Sequence, residues 1–95
     1  MATLHIEHAI TDFPTWKAAF DRFAAKRAEA GVTAHRIHLL HDDPNYLFLQ
    51  LDFATAAQAA SFRDFLETRV WSTPANSPGL GGTPRARVLD EAPAQ

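Results

Sequence analysis

The chain of 95 residues contains no cysteine, one methionine, one tyrosine and four glycines. Without cysteine there is no disulfide, no thiolate metal centre and no Cys nucleophile. No apolar run approaches the roughly 18 residues of a membrane-spanning helix, so no membrane partner is expected. Neither charge sign dominates: nine Lys and Arg stand against eleven Asp and Glu, for a formal net charge of −2. A nucleic-acid partner calls for a basic excess or stripe, and there is none. No run of like charges forms an electrostatic tail. Met1-Ala2-Thr3-Leu4-His5 lacks the basic and apolar segments of a secretory signal. No such signal is expected there, and the cytoplasm is the expected compartment.

What is present is apolar: 46% of the residues are hydrophobic. By surface scaling a chain of this mass exposes roughly 5,400 Å² folded against roughly 15,000 Å² unfolded. That burial supports one thin core. A core this small commonly gains stability by self-association.

The periodicity orders the elements. Thr3 to Ile10 alternates as a strand, with Leu4, Ile6, His8 and Ile10 on one side and His5, Glu7 and Ala9 on the other. Asp12 and Pro14 announce a helix, one as cap and one as a first-turn proline. Phe13, Trp16, Phe20, Phe23, Ala24 and Arg27 recur at helical spacing, and Gly31 is the expected stop. Val32 to Leu40 reads as a second strand and His41 to Asn45 as a turn. Tyr46 to Phe53 is the clearest strand: Leu47, Leu49, Leu51 and Phe53 form an apolar face, with Tyr46, Phe48, Gln50 and Asp52 opposite. Thr55 and Gln58 fit a capping box for a second helix ending near Trp71, with Ala59, Phe62, Leu66 and Val70 as its buried stripe. Ser72 to Pro84 is a long loop, Arg85 to Leu89 a last strand, and Glu91 to Gln95 a frayed tail.

The order β-α-β-β-α-β predicts one α+β domain over about residues 3–90. Its form is a ferredoxin-like sandwich with a four-stranded antiparallel sheet in the order 4-1-3-2 and both helices on one face. The leucine face of the third strand belongs under the helices. The opposite face would expose Tyr46 and Phe48, an aromatic patch of the kind that marks an interface or ligand surface. A second copy placed face to face would cover it.

The stretch His8-Ala9-Ile10-Thr11-Asp12-Phe13 with Trp16-Lys17 and Phe20-Asp21, then Gly31-Val32, then Asp42-Asp43-Pro44-Asn45 before a leucine-rich strand, resembles the bacterial dimeric α/β-barrel proteins. It is most similar to small members of the antibiotic biosynthesis monooxygenase-like superfamily. The shared features are a strand end, a helix start, a helix stop and a hairpin. The resemblance therefore implies a fold and a homodimer more than an activity. Such proteins include cofactor-free monooxygenases, haem-degrading enzymes, isomerases and cyclases. No member-specific catalytic set transfers residue by residue, and the loop Ser72 to Pro84 is longer than the connection usual among them.

Candidate chemistry follows from strand parity. Five histidines, His5, His8, His35, His38 and His41, precede residue 42. Residues three apart on a strand point to opposite faces, so none of these form local metal-chelating pairs, and no metal site is expected. With the apolar faces under the helices, the other face carries His5, Glu7, Arg36, His38, Tyr46, Phe48, Gln50, Asp52, Arg85 and Arg87. A cavity between two such sheets would bind a small hydrophobic or enolisable molecule. His38 would be its general base and Arg36 its oxyanion partner. His5, Glu7, Gln50 and Asp52 would line that cavity, and Tyr46, Phe48 and Trp71 would stack on the substrate or close the mouth. No cofactor is called for. The competing assignment is a non-catalytic dimer whose charged groups pair across the interface. His8 falls beneath the helices as a hydrogen-bonded core histidine, unless the first strand has the opposite parity, in which case it lines the cavity. Trp16, Phe20 and Phe23 are assigned to the core. Gly79, Gly81 and Gly82 lack a phosphate-loop pattern and make Ser72 to Pro84 either a lid or an arm reaching a partner.

Overall fold

The computed structural model describes residues 1–93. Its elements are β1 (Ala2–Ala9), α1 (Phe13–Arg22), α2 (Ala24–Ala30), β2 (Ala34–Leu40), β3 (Asp43–Phe53), α3 (Ala56–Phe65) and β4 (Arg85–Asp90). The four strands form one antiparallel sheet in the order β2-β3-β1-β4. This is the expected ferredoxin-like order, with one extra break among the helices. Ala94 and Gln95, the end of the expected tail, lie outside the described residues.

The sheet is two-sided. Along β1 and the end of β3, buried and half-buried residues alternate without exception. Leu4, Ile6, Leu47, Leu51 and Phe53 are fully enclosed. Trp16 and Phe20 from α1 and Ala59 and Phe62 from α3 pack onto them. Each large apolar side chain enclosed here contributes about 1.5–3 kcal/mol relative to exposure.

Local signals set the helix ends. The Asp12 side chain accepts from the Thr15 backbone N–H at 2.8 Å. Thr55 and Gln58 form the reciprocal capping box, both bonds at 3.2 Å. Gly31 closes α2 at φ 97°, and a Cβ there would meet the Gln58 side chain at 2.7 Å. Only glycine combines that left-handed backbone with that approach.

The strand ends shift by one or two residues from the sequence reading, and three features differ in kind. The first helix breaks at Phe23 because the Phe20 carbonyl is diverted. It accepts the Phe23 N–H at 3.2 Å and the guanidinium of Arg27, instead of continuing the helical ladder. The hairpin turn is only His41–Asp42, and Asp43, Pro44 and Asn45 already belong to β3. A register irregularity between Leu39 and Leu40 lets Leu40 pair with Asp43, so the proline sits where the ladder is already disturbed. The last helix ends near Trp71 as expected, but its final stretch is a π-helical turn over Leu66–Val70, closed by the Trp71 N–H on the Leu66 carbonyl at 2.7 Å.

The loop after that turn folds back on its own chain. Thr11 N–H donates to the Gly79 carbonyl at 2.8 Å and Gly81 N–H to the Ala9 carbonyl at 2.9 Å, and Ile10 and Leu80 form an isolated bridge. Gly79 has φ 85°, and a Cβ on it would stand 2.8 Å from the Trp16 backbone nitrogen. The segment is a strap laid across the end of β1 and the start of α1.

Candidate functional site

Both faces of the sheet carry candidate residues, and they differ in kind. On the face away from the helices, cross-strand rows set the neighbours. One row runs His38, Phe48, Glu7, Arg85; the next runs Arg36, Gln50, His5, Arg87. A hydrogen-bonded chain links Arg36, Gln50, His5 and Glu7 of these rows with Asp52, Tyr46 and Thr3. Arg36 grips Asp52 with both terminal nitrogens at 2.9 Å and donates through Nε to Gln50 Oε1 at 3.1 Å. The Gln50 amide reaches His5 Nδ1 at 3.1 Å, His5 Nε2 reaches Glu7 at 3.1 Å, and Tyr46 O–H donates to Glu7 at 3.0 Å. Thr3 O–H completes the far end on Asp52 at 2.9 Å.

This arrangement fixes the proton positions. The Gln50 carbonyl is held by Arg36, so its NH₂ must face His5, and His5 accepts at Nδ1 and donates from Nε2. The Arg36 guanidinium holds the Asp52 carboxyl below the usual carboxylate range, and His5 and Tyr46 do the same for Glu7. In return the Tyr46 hydroxyl is pushed up by Glu7 and the Arg36 guanidinium by Asp52. The expected oxyanion partner, Arg36, thus has three of its five N–H donors engaged within the chain. His38 lies on this face, exposed and with no hydrogen-bond partner among the described residues. Phe48 packs edge-on against Tyr46 at 5.4 Å and near His5 at 6.1 Å.

The opposite face, under the helices, contains a cavity of about 80 Å³. Ile6, Leu49 and Leu51 form its floor, Trp16, Phe20 and Phe62 its walls, and Pro78 and Leu80 of the strap one side. The π-helical turn adds Leu66, Val70 and Trp71. Such turns often occur at functional positions, because one added residue per turn re-aims the side chains that follow. Trp71 therefore lies across the sheet from Tyr46 and Phe48, and the three do not share a space. That part of the sequence-based grouping is not realised within one chain.

His8 is the polar centre of this cavity. Strand parity puts it on the helix side with Leu4 and Ile6, at 4% exposure, while His5 and Glu7 face the other way. Its Nδ1 lies 2.8 Å from the Ala9 carbonyl. A carbonyl only accepts, so Nδ1 carries the proton and Nε2 carries the lone pair. Nε2 makes no hydrogen bond among the described residues, and since no fully enclosed polar side-chain atom is left unpaired there, it keeps some access to solvent. Burial pushes the His8 imidazolium pKa down, against the smaller opposing pull of the Ala9 carbonyl. The group is a neutral imidazole with a free basic nitrogen in an apolar space.

Arg27 is the second polar group, and the sequence pointed to it only as a charge inside an aromatic stripe. Its guanidinium stacks on Phe20 at 3.5 Å from the ring centroid, and Phe20 stacks in turn on Trp16 at 5.1 Å. Trp16 and Phe20 serve the core as expected and line the cavity as well, whereas Phe23, expected in the core, is half-buried at the helix break and only lines the cavity. Among the described residues no cluster of three His, Asp or Glu could hold a metal ion.

No family model matches the chain, and no curated protein does. Solved structures do match. An antibiotic biosynthesis monooxygenase superposes with a TM-score of 0.62 at 11% identity, covering 98% of this chain and all of that one. A Bordetella bronchiseptica protein assigned to the antibiotic biosynthesis monooxygenases superposes at 0.64 with 12% identity, covering 96% and 97%. The chain has their fold. At these identities the likeness speaks for the shared architecture, as the sequence resemblance implied, and the chemistry must come from the residues.

Proposed function

We propose that the protein is a small-molecule-handling homodimer whose ligand sits under the helices, against His8, and not between the two sheets. The observation that carries this reading is the free, tautomer-fixed Nε2 of His8 in an apolar cavity. A neutral imidazole there takes a proton from a hydroxyl or from a carbon next to a carbonyl, giving an imidazolium and an enolate or phenolate. That anion is the shared starting point for isomerisation, cyclisation and, with dioxygen as oxidant, oxygenation. The names of the two structural neighbours put oxygenation among these reactions. No cofactor is needed for the proton transfer itself.

The sheet face, with Arg36, His38, Tyr46, Phe48, Gln50 and Asp52, is then the surface for a second copy. Half-buried Tyr46 and Phe48, together with Leu89 at 42% exposure, are the apolar groups that such contact would cover.

The test is deuterium exchange at the acidic carbon of 2-tetralone in D₂O, followed by NMR. The wild type accelerates exchange, His8→Gln removes the acceleration and His38→Ala keeps it. Acceleration lost in His38→Ala and kept in His8→Gln would move the base to the sheet face. A second reading, a dimer that binds a ligand without turning it over, is favoured by the small cavity. About 80 Å³ is well under the roughly 300 Å³ of ordinary ligand pockets, so a ring-sized guest requires Trp71 or the strap to move. Saturable binding of 2-tetralone with no exchange would establish that reading.

A further inference from the structure

Arg27 is a cation in the wrong place for a purely structural residue. Its exposure is 9%, and no Asp or Glu lies within ion-pair distance among the described residues. Asp21 acts on it only at longer range, and burial pulls the guanidinium pKa down without neutralising it. Its assignments within the chain are one hydrogen bond to the Phe20 carbonyl and the stack on Phe20. A guanidinium carries five N–H donors, so most remain unassigned.

Arg27 lines the same cavity as His8, and no acidic residue does. The other polar side chains there are already committed: Asn76 donates to the Arg69 carbonyl at 2.9 Å and Ser77 to the Thr73 carbonyl at 3.1 Å. The cavity thus holds one net positive charge, one neutral base and aromatic walls. Arg27 keeps slight exposure, and beside mostly apolar walls an unpaired cation attracts an anion more strongly than at the open surface.

We infer that Arg27 is the specificity-determining residue of this cavity, and that its ligand is an aromatic or similarly flat molecule bearing a carboxylate or another localised anion. The inference rests on the cavity being the ligand site and adds the ligand's charge. The flat apolar part lies against Trp16 and Phe20, the anion takes the free N–H groups of Arg27, and the His8 end is left for the group that gives up a proton. A charge-assisted bond of this kind is worth about tenfold or more in affinity over its neutral counterpart.

The test compares benzoate with benzamide, equal in shape and different in charge, and with acetate, which has the charge and no ring. Each is titrated into ¹⁵N-labelled protein, and the indole N–H signals of Trp16 and Trp71 and the Nε–H signal of Arg27 are followed. Benzoate is expected to bind about tenfold or more tighter than benzamide and to shift the Arg27 signal, with acetate much weaker than benzoate. Arg27→Met is expected to erase the preference while leaving benzamide binding in place, and Arg27→Lys to keep part of it. Equal affinity for benzoate and benzamide would overturn the inference and leave the cavity as the ligand site. So would a preference that survives in Arg27→Met, or acetate binding as tightly as benzoate. If neither aromatic probe moves the indole signals, the cavity reading falls and the inference falls with it. Should Arg27→Met not fold, the wild-type comparison and the Arg27 Nε–H shift decide the matter alone.

Discussion

The Nδ1 of His8 donates to the carbonyl of Ala9, the next residue along the same strand, at 2.8 Å. That carbonyl also accepts the N–H of Gly81 at 2.9 Å, so one backbone oxygen joins the candidate base to the strap beside the cavity. Whatever moves the strap acts on the atom that sets the His8 tautomer. The arrangement leaves a residue that strand parity marks as core with an unpartnered ring nitrogen under the helices, among the described residues.

Protonation of His8 provides a stability test. Its folded pKa is lowered by burial, so below the ordinary histidine value near 6.5 the unfolded chain binds a proton that the folded chain refuses. Stability therefore falls as the pH drops through about 6.5, with a slope of at most about 1.4 kcal/mol per pH unit. Urea unfolding between pH 8 and 5 should show this slope in the wild type and a flatter profile in His8→Gln. A separate loss belongs to Glu7 and Asp52, whose folded pKa values are also lowered. Their contribution is complete above the ordinary carboxylate range near 4 and disappears as the pH falls through their folded values.

The strap should be intolerant at one glycine and tolerant at another. Gly79 combines φ 85° with backbone atoms of Trp16 within 3 Å of a would-be Cβ. At Gly82 the nearest neighbour would be the Ala9 Cβ at 3.6 Å, an ordinary contact. Gly79→Ala is expected to cost about 1–3 kcal/mol and lower the melting temperature by several degrees. Gly82→Ala should stay within about 0.5 kcal/mol of wild type. Thermal unfolding by circular dichroism separates the two.

Association through the sheet face predicts a clean separation of folding from oligomeric state. Phe48 is half-buried on that face, and its side chain makes no contribution to the core under the helices. The wild type should be a dimer and Phe48→Glu a folded monomer, as read by light scattering with the circular dichroism spectrum unchanged. A wild type that is monomeric at micromolar concentration would refute the interface.

The core should behave conventionally. Leu4 is fully enclosed on the central strand β1. Leu4→Ala is expected to destabilise by about 2–5 kcal/mol in denaturant unfolding, the range for leaving a leucine-sized hole.

The strands were legible because period-two alternation is a strong signal where one face is buried and the other is not. Leu47 to Phe53 shows it completely, and the same parity placed His5 and Glu7 away from the helices and His8 beneath them. The break at Phe23 was not legible. It depends on the Arg27 side chain reaching back to the Phe20 carbonyl, a contact between residues that a helical wheel merely puts on one stripe. Asp43, Pro44 and Asn45 read as turn residues because their composition favours turns, yet pairing of Leu40 with Asp43 draws them into the strand. The cavity was hidden for a related reason. Trp16, Phe20, Leu66 and Val70 have the pattern of a core, and only the π-helical turn and the strap together show that the packing leaves a space. The one sequence-level clue was a charge, Arg27, inside an aromatic stripe.

The proposed ligand site lies beneath the helices. The chain has two tryptophans, and both line the cavity, so their indole N–H signals report on it directly. Titration of the uncharged probe 2-naphthol into ¹⁵N-labelled protein is predicted to shift and saturate those two signals together with the amides of Ala9 and Ile10, leaving Arg36, His38 and Phe48 unmoved. Saturating shifts at Arg36, His38 and Phe48, with both indole signals unchanged, would contradict the account and return the site to the sheet face.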